Sequence, residues 1–196
     1  MSRKPRQWYK GARFHITARG NRGSDLFYDD ADFEEYIQFI RWCQEDMPFI
    51  LHAYCLMTNH IHFLLEVKSH SPGEIMKFIQ FRYAKYFNSR HKVYGHLFQG
   101  RYYSKLIDTR AYFLAASKYI HLNLNPVEAG ICSKPHSYMW SSYPCYLSNK
   151  ESPILTTKAL LNCFQEPKRL RYRAYIMQGG GEAFVDYCKE YRPQGS

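Results

Sequence analysis

The run from Phe49 to Val67 constrains this chain more than any other. Phe49 to Met57 reads as a buried strand, Thr58-Asn59 as a bend, and His60 to Val67 as a second strand with the two-residue period of a sheet. On that second strand His60, His62, Leu64 and Glu66 face one way, while Ile61, Phe63, Leu65 and Val67 face the other and look like a core face. Two imidazoles then stand side by side at one end of a strand, where both rings can reach a single metal ion. Spacing alone leaves another reading open, with one histidine satisfied in the core and the other in solvent.

The flanking segments alternate between strand and helix signals. Phe14, Ile16 and Ala18 alternate with His15, Thr17 and Arg19, which predicts a strand ending at the turn Gly20-Asn21-Arg22-Gly23. Asp29 or Asp30 caps a helix with apolar residues Phe33, Tyr36, Ile37, Ile40 and Met47, stopped by Pro48. Ser71-Pro72-Gly73-Glu74 is a capping-box pattern, predicting a helix to about Arg90 with Ile75, Ile79, Tyr83 and Tyr86 inward. Gly95 and Gly100 bracket a tight segment, and Arg101 to Ile107 reads as a strand. Asp108 or Thr109 caps a helix from Arg110 to about Asn123, ended by Asn125-Pro126, with Tyr112, Tyr119 and Asn123 near one face. Trp140-Ser141-Ser142-Tyr143 reads as an aromatic segment packed on the core. Beyond it, helices are expected at Thr156 to Phe164 and Lys168 to Met177, with a last short one after Gly179-Gly180-Gly181. Strands in hairpins mixed with helices predict an α+β fold: an antiparallel sheet with helices packed on it, plus a mostly helical C-terminal appendage. The expected division is a main domain over residues 1–148 and a basic helical extension over 149–196.

Charge narrows the partners. The 196 residues carry 27 Lys and Arg against 17 Asp and Glu, a formal charge of +10, together with 18 Tyr and 13 Phe. A globular domain this basic usually meets a polyanion. No apolar run approaches ~20 residues and no signal-peptide core opens the chain, so a membrane is not the expected partner. Aromatics among cations suit single-stranded nucleic acid, whose bases stack while its phosphates are neutralised. The first 22 residues hold seven Lys or Arg and no acid, interrupted by Trp8 and Tyr9. Residues 1 to 7 of that arm read equally well as a solvated terminus. Six scattered cysteines form no Cys-x-x-Cys pair, which predicts reduced, mostly buried thiols of a cytoplasmic protein, and a DNA partner would make it nucleoid-associated.

Several stretches together resemble a known family. His60-Ile61-His62 resembles the histidine-hydrophobe-histidine (HUH) motif of single-tyrosine transposases, and Tyr119 to Gly130 is similar to the segment carrying their nucleophilic tyrosine. Gly100-Arg101-Tyr102 with Ser104, Trp140-Ser141-Ser142-Tyr143, and Phe14 to Thr17 followed by Arg19-Gly20-Asn21 resemble signatures of one branch, the REP-associated tyrosine transposases. The resemblance spans residues 9 to 147. It implies an HUH, ferredoxin-like sandwich, with His60 and His62 holding Mg²⁺ or Mn²⁺ and Tyr119 attacking a scissile phosphate. Asn123 matches the third-ligand position, where insertion-sequence relatives carry glutamine and the REP-associated branch asparagine; its amide oxygen suits a hard cation. The implied substrate is single-stranded hairpin DNA at a repetitive palindrome, cut through a 5′-phosphotyrosine with release of a 3′-hydroxyl. Arg19, Arg22 and Arg101 are the candidate DNA contacts. A non-cutting hairpin binder that keeps the fold is the rival class, and a histidine hydrolase leaving no adduct is a third. Monomer and homodimer both remain open.

Overall fold

The computed structural model describes residues 7–123, 135–149 and 151–178. Four antiparallel strands, β1 (Arg13–Arg19), β2 (Phe49–Met57), β3 (His60–Val67) and β4 (Tyr103–Ile107), form one sheet in the order β2-β3-β1-β4. A two-residue turn at Thr58-Asn59 joins β2 to β3, as expected of that bend. Helices α1 (Asp30–Asp46) and α2 (Pro72–His91) cover the face carrying Phe14, Ile16, Ile61 and Phe63, with the Tyr36 ring 6.3 Å from Phe63 and 4.8 Å from Tyr83. Helix α3 (Arg110–Lys118) covers the other face, where Phe113 meets His52 at 4.9 Å and lies under the Arg13 guanidinium at 4.3 Å. Among the described residues the architecture is therefore α+β, with helices on both faces of an antiparallel sheet.

Local chemistry sets the boundaries. Asp29 caps α1 by accepting the Asp32 amide, and the buried Asp32 carboxylate accepts from Arg90 and His91 at the far end of α2. The capping box at α2 is complete: Ser71 Oγ accepts the Glu74 amide, and Glu74 accepts the Ser71 amide. The turn after β1 requires its first glycine, because a Cβ on Gly20 would lie 1.9 Å from the Ser24 carbonyl oxygen.

Several elements depart from expectation. The β3 alternation suggested a half-buried strand, yet Leu64 and His62 are buried as well, because β3 is central and α3 seals its polar face. The strand expected from Arg101 begins at Tyr103. Helix α5 covers only Lys158–Leu161 rather than Thr156 to Phe164. The long helix expected through Asn123 is α-helical only to Lys118 and continues as a π-helical turn, Tyr119–Asn123. The segment around Asn125-Pro126 and the expected helix after Gly181 lie outside the described residues.

The C-terminal part closes the outer edge of β2, which would otherwise expose a row of unpaired amides and carbonyls. Leu56 N–H donates to the Trp140 carbonyl and Ser142 N–H to the Tyr54 carbonyl, each at 2.9 Å, while Thr156 N–H reaches the Leu51 carbonyl at 2.9 Å. Trp140 stacks on Phe33 of α1 at 4.7 Å, so the aromatic segment packs on the core as expected. Short helix α4 (Tyr143–Leu147) follows, and α6 (Lys168–Met177) buries Tyr172 and Ile176. The described cysteines Cys43, Cys55, Cys145 and Cys163 are not in disulfides.

A bulge between Leu51 and Ala53 frees His52 to meet Glu66 at 3.2 Å, and Arg13 Nε donates to the same carboxylate oxygen at 2.7 Å. Hydrogen bonds from His52 and Arg13 hold Glu66 down at about 2, against an ordinary 4.5. A depressed carboxyl contributes its stability above the unfolded value and loses it as pH falls through the folded one. Glu66→Gln should therefore cost about 1–3 kcal/mol at neutral pH. It should also flatten the loss of thermal stability between about pH 4.5 and 2. Melting curves across that range check both; an unchanged acid limb would remove Glu66 from this role.

Candidate active site

Strand register assembles the site. Antiparallel pairing of β1 with β3 sets Thr17 opposite His62 and Arg19 opposite His60, and places His15 one step along the same face. His62 is 3% exposed; its Nδ1 lies 2.9 Å from His15 Nε2 and 3.1 Å from Thr17 Oγ1. His60 donates from Nδ1 to Asn59 Oδ1 at 2.6 Å. With the His62 proton also on Nδ1, both motif rings keep Nε2 as the lone-pair nitrogen. The two ring centroids are 5.2 Å apart and nearly perpendicular. Burial, helped by the Arg19 charge, lowers His60 to about 4; burial and the neighbouring imidazoles push His62 well below its ordinary value. Both rings are therefore neutral near pH 7, the form that binds metals.

Tyr119 stands where α3 gives way to the π turn. Its ring meets His15 and His62 edge-on, each at 5.5 Å, and is only 9% exposed. Turns of this kind recur at functional sites. Here the turn is pinned from two sides through His121, two residues on. His121 Nε2 lies 2.8 Å from Ser142 Oγ, and its Nδ1 lies 2.8 Å from the Tyr172 hydroxyl of α6. Burial drops His121 to about 3, so it serves as a neutral, fully engaged core histidine. Asn123 closes the turn; its side chain lies outside the described residues.

The structure thus brings His60, His62 and Tyr119 together. Among the described residues no group of three or more His, Cys, Asp or Glu could hold a metal, so any ion on the histidine pair would need a donor of another kind. Arg19 and Arg22 are exposed on the β1 end and the turn after it, near His60, whereas Arg101 is exposed on a loop beside α2. Sequence reasoning missed His15 as a member of the site. The β1 alternation already placed it on the polar face; only the pairing partner and register were lacking.

Comparison with known proteins now bears on this geometry. The sequence model of the family "Transposase IS200 like" matches residues 9–123. The chain belongs to this family. Its fold resembles that of a REP-associated tyrosine transposase solved bound to a REP hairpin, with a TM-score of 0.62 at 19% identity, over 80% of this chain and 92% of that one. A protein described as a transposase from Deinococcus radiodurans R1 aligns at TM-score 0.43 and 15% identity, over 56% of this chain and 89% of that one. No curated protein matches the sequence closely enough to count as a relative. Among the described residues no helix is long and apolar enough to cross a membrane.

Ser142 is the hub beneath the transposase's π turn. Its buried hydroxyl accepts the Tyr54 amide at 2.9 Å and lies within 3.1 Å of the Tyr54 carbonyl and 2.8 Å of His121. Ser142→Ala leaves buried polar atoms unpaired and should cost about 1–3 kcal/mol. Urea denaturation measures this, and a change under about 0.5 kcal/mol, the size of an ordinary surface substitution, would contradict it.

Proposed function

We propose that this transposase is a metal-dependent single-stranded DNA endonuclease and strand transferase acting at hairpin DNA through a 5′-phosphotyrosine. The observation that carries this reading is the Tyr119 ring set edge-on against His62, beside the His60–His62 pair. Residues 1–148 are taken as the catalytic unit and 149–196 as its extension, and the asparagine at 123 favours the REP-associated branch.

The donor set fits a divalent ion. The two imidazole rings stand 5.2 Å apart, close enough for both to serve one ion. Both rings are neutral and each is steadied through Nδ1, the arrangement that orients metal-binding histidines. His60, His62 and Asn123 would hold Mg²⁺ or Mn²⁺, which would draw negative charge from a bound phosphate and make it a better electrophile. Tyr119 then loses its phenolic proton, and its oxygen attacks phosphorus. The bond to the 3′-oxygen breaks, and that oxygen gains a proton and leaves as a 3′-hydroxyl. A phosphodiester is exchanged for a phosphotyrosine of similar energy, so a later 3′-hydroxyl can reverse the exchange and join strands. Arg19, Arg22 and Arg101 supply exposed positive charge for the DNA backbone.

Tyr119→Phe should keep hairpin binding and abolish the covalent protein–DNA adduct on denaturing gels. An adduct persisting in that variant would reassign the nucleophile; wild-type binding without any adduct would make the protein a non-cutting binder.

Chelation should stop cleavage, and Mg²⁺ or Mn²⁺ should restore it. Calorimetric titration with Mn²⁺ should show binding lost in His60→Ala and His62→Ala. His15→Leu removes a partner of His62 Nδ1 and should weaken Mn²⁺ binding about 10- to 100-fold. Unaltered Mn²⁺ binding in the double alanine variant would sink the metal assignment.

A further inference from the structure

Behind the π turn, away from the histidine pair, one buried hydroxyl has a role that packing does not require. The Tyr172 ring is fully buried, 4.8 Å from Tyr146 and 5.6 Å from Phe164. A phenylalanine would fill that space as well, and burying a hydroxyl costs free energy unless it finds a partner. Three other buried phenols find theirs on backbone carbonyls: Tyr83 on Leu26, Tyr138 on Leu56 and Tyr146 on His52. Tyr172 instead reaches side chains. Its hydroxyl lies 2.8 Å from His121 Nδ1, and the buried Ser117 side chain is a second hydrogen-bond partner.

Those two partners flank the proposed nucleophile. Ser117 stands two residues before Tyr119 and His121 two residues after it. Residues four apart share a helix face, whereas residues two apart point nearly opposite ways. Ser117 and His121 therefore form the back of the segment, and Tyr119 forms its front, where the ring meets His15 and His62. The junction between α3 and the π turn falls between Lys118 and Tyr119, inside the span that the phenol bridges. Helix α6, which carries the phenol, is itself tied down. Lys118 donates to its last turn at the Gln178 carbonyl, and Arg169 donates to the Cys145 carbonyl of α4.

We propose that Tyr172 is a positioning residue for strand cleavage: by bridging Ser117 and His121, its hydroxyl fixes the junction and so the aim of the Tyr119 oxygen at the scissile phosphate. This rests on the reading of the protein as a hairpin-DNA enzyme and deepens it with a residue that touches no substrate.

The test follows covalent adduct formation by the full chain with Mn²⁺ and a saturating single-stranded DNA hairpin. Tyr172→Phe should slow the adduct about 10- to 100-fold, the scale of a small misplacement of a reacting group. Hairpin affinity in EDTA should stay within about two-fold, so the loss falls on the chemical step. Ser117→Ala should act in the same direction, and adding it to Tyr172→Phe should cost little more, because both remove one bridge. If Tyr172→Phe does not fold, Ser117→Ala decides. Tyr146→Phe is the control: it deletes an equally buried hydroxyl that serves β2 and should keep the wild-type rate. Hydrogen exchange reads the bridge without chemistry. Tyr172→Phe should speed exchange over residues 119–123 about ten-fold and leave β3 unchanged. The proposal is overturned if Tyr172→Phe keeps the wild-type rate, or if Tyr146→Phe loses as much. Failure of the two readings is distinguishable. Wild-type protein without any adduct removes the enzyme, and exchange then decides the bridge; a wild-type adduct with unchanged exchange in the variant removes the bridge alone.

Discussion

The pairing of β1 with β3 is the interaction on which the rest depends. Side chains alternate across a strand, so a slip of one residue would send every one of them to the opposite face. In the observed register Phe14, Ile16 and Ala18 join Ile61, Phe63 and Leu65 under α1 and α2. The same register gathers His15, Thr17, Arg19, His60 and His62 on the face that α3 covers. The apolar side therefore enforces the polar side. Burial of these six apolar groups, five of them large or medium, is worth far more than the hydrogen bonds around His62, so the core decides where the imidazoles stand. The site inherits its geometry from packing, which lets it hold three neutral histidines in close contact without sacrificing order.

That division explains what could be read in advance. The order of strands and helices, the caps at Asp29 and Ser71, and the outlook of His60 and His62 follow from local periodicity and capping chemistry, and all are legible in the sequence. The fold class and the family were legible too, the family through motifs recurring in the right order. His15 was not, because its part is set by pairing across 47 positions in the chain. The π turn was not legible either: Tyr119 and Asn123 have ordinary helical spacing, and nothing local announces the wider turn. Its cause is tertiary, since His121 is held between Ser142 and Tyr172, one on each side of α4.

The same clamp changes how the C-terminal region should be regarded. From sequence it reads as an appendage with a basic cluster. In the structure it closes the β2 edge through Thr156 and supplies Tyr172 to the turn that carries Tyr119. Lys118 Nζ also donates to the Gln178 carbonyl, joining the end of α3 to the end of α6. Whatever moves α6 is thus felt two residues from the proposed nucleophile.

The basic cluster on α6 illustrates why a charge count overstates grip. Arg169 donates to the Cys145 carbonyl at 2.8 Å, Arg171 to the Glu166 carbonyl at 3.1 Å, and Lys168 to Asn162 Oδ1 at 2.9 Å. Donors committed to carbonyls cannot simultaneously make the paired bonds with which guanidinium grips phosphate. Their charge persists and adds to the field that draws DNA toward the protein. Field and contact therefore separate along the chain. Helix α6 contributes to long-range attraction, which salt screens within about 10 Å. Arg19, Arg22 and Arg101, the candidate phosphate contacts, are by contrast exposed and without a salt-bridge partner among the described residues.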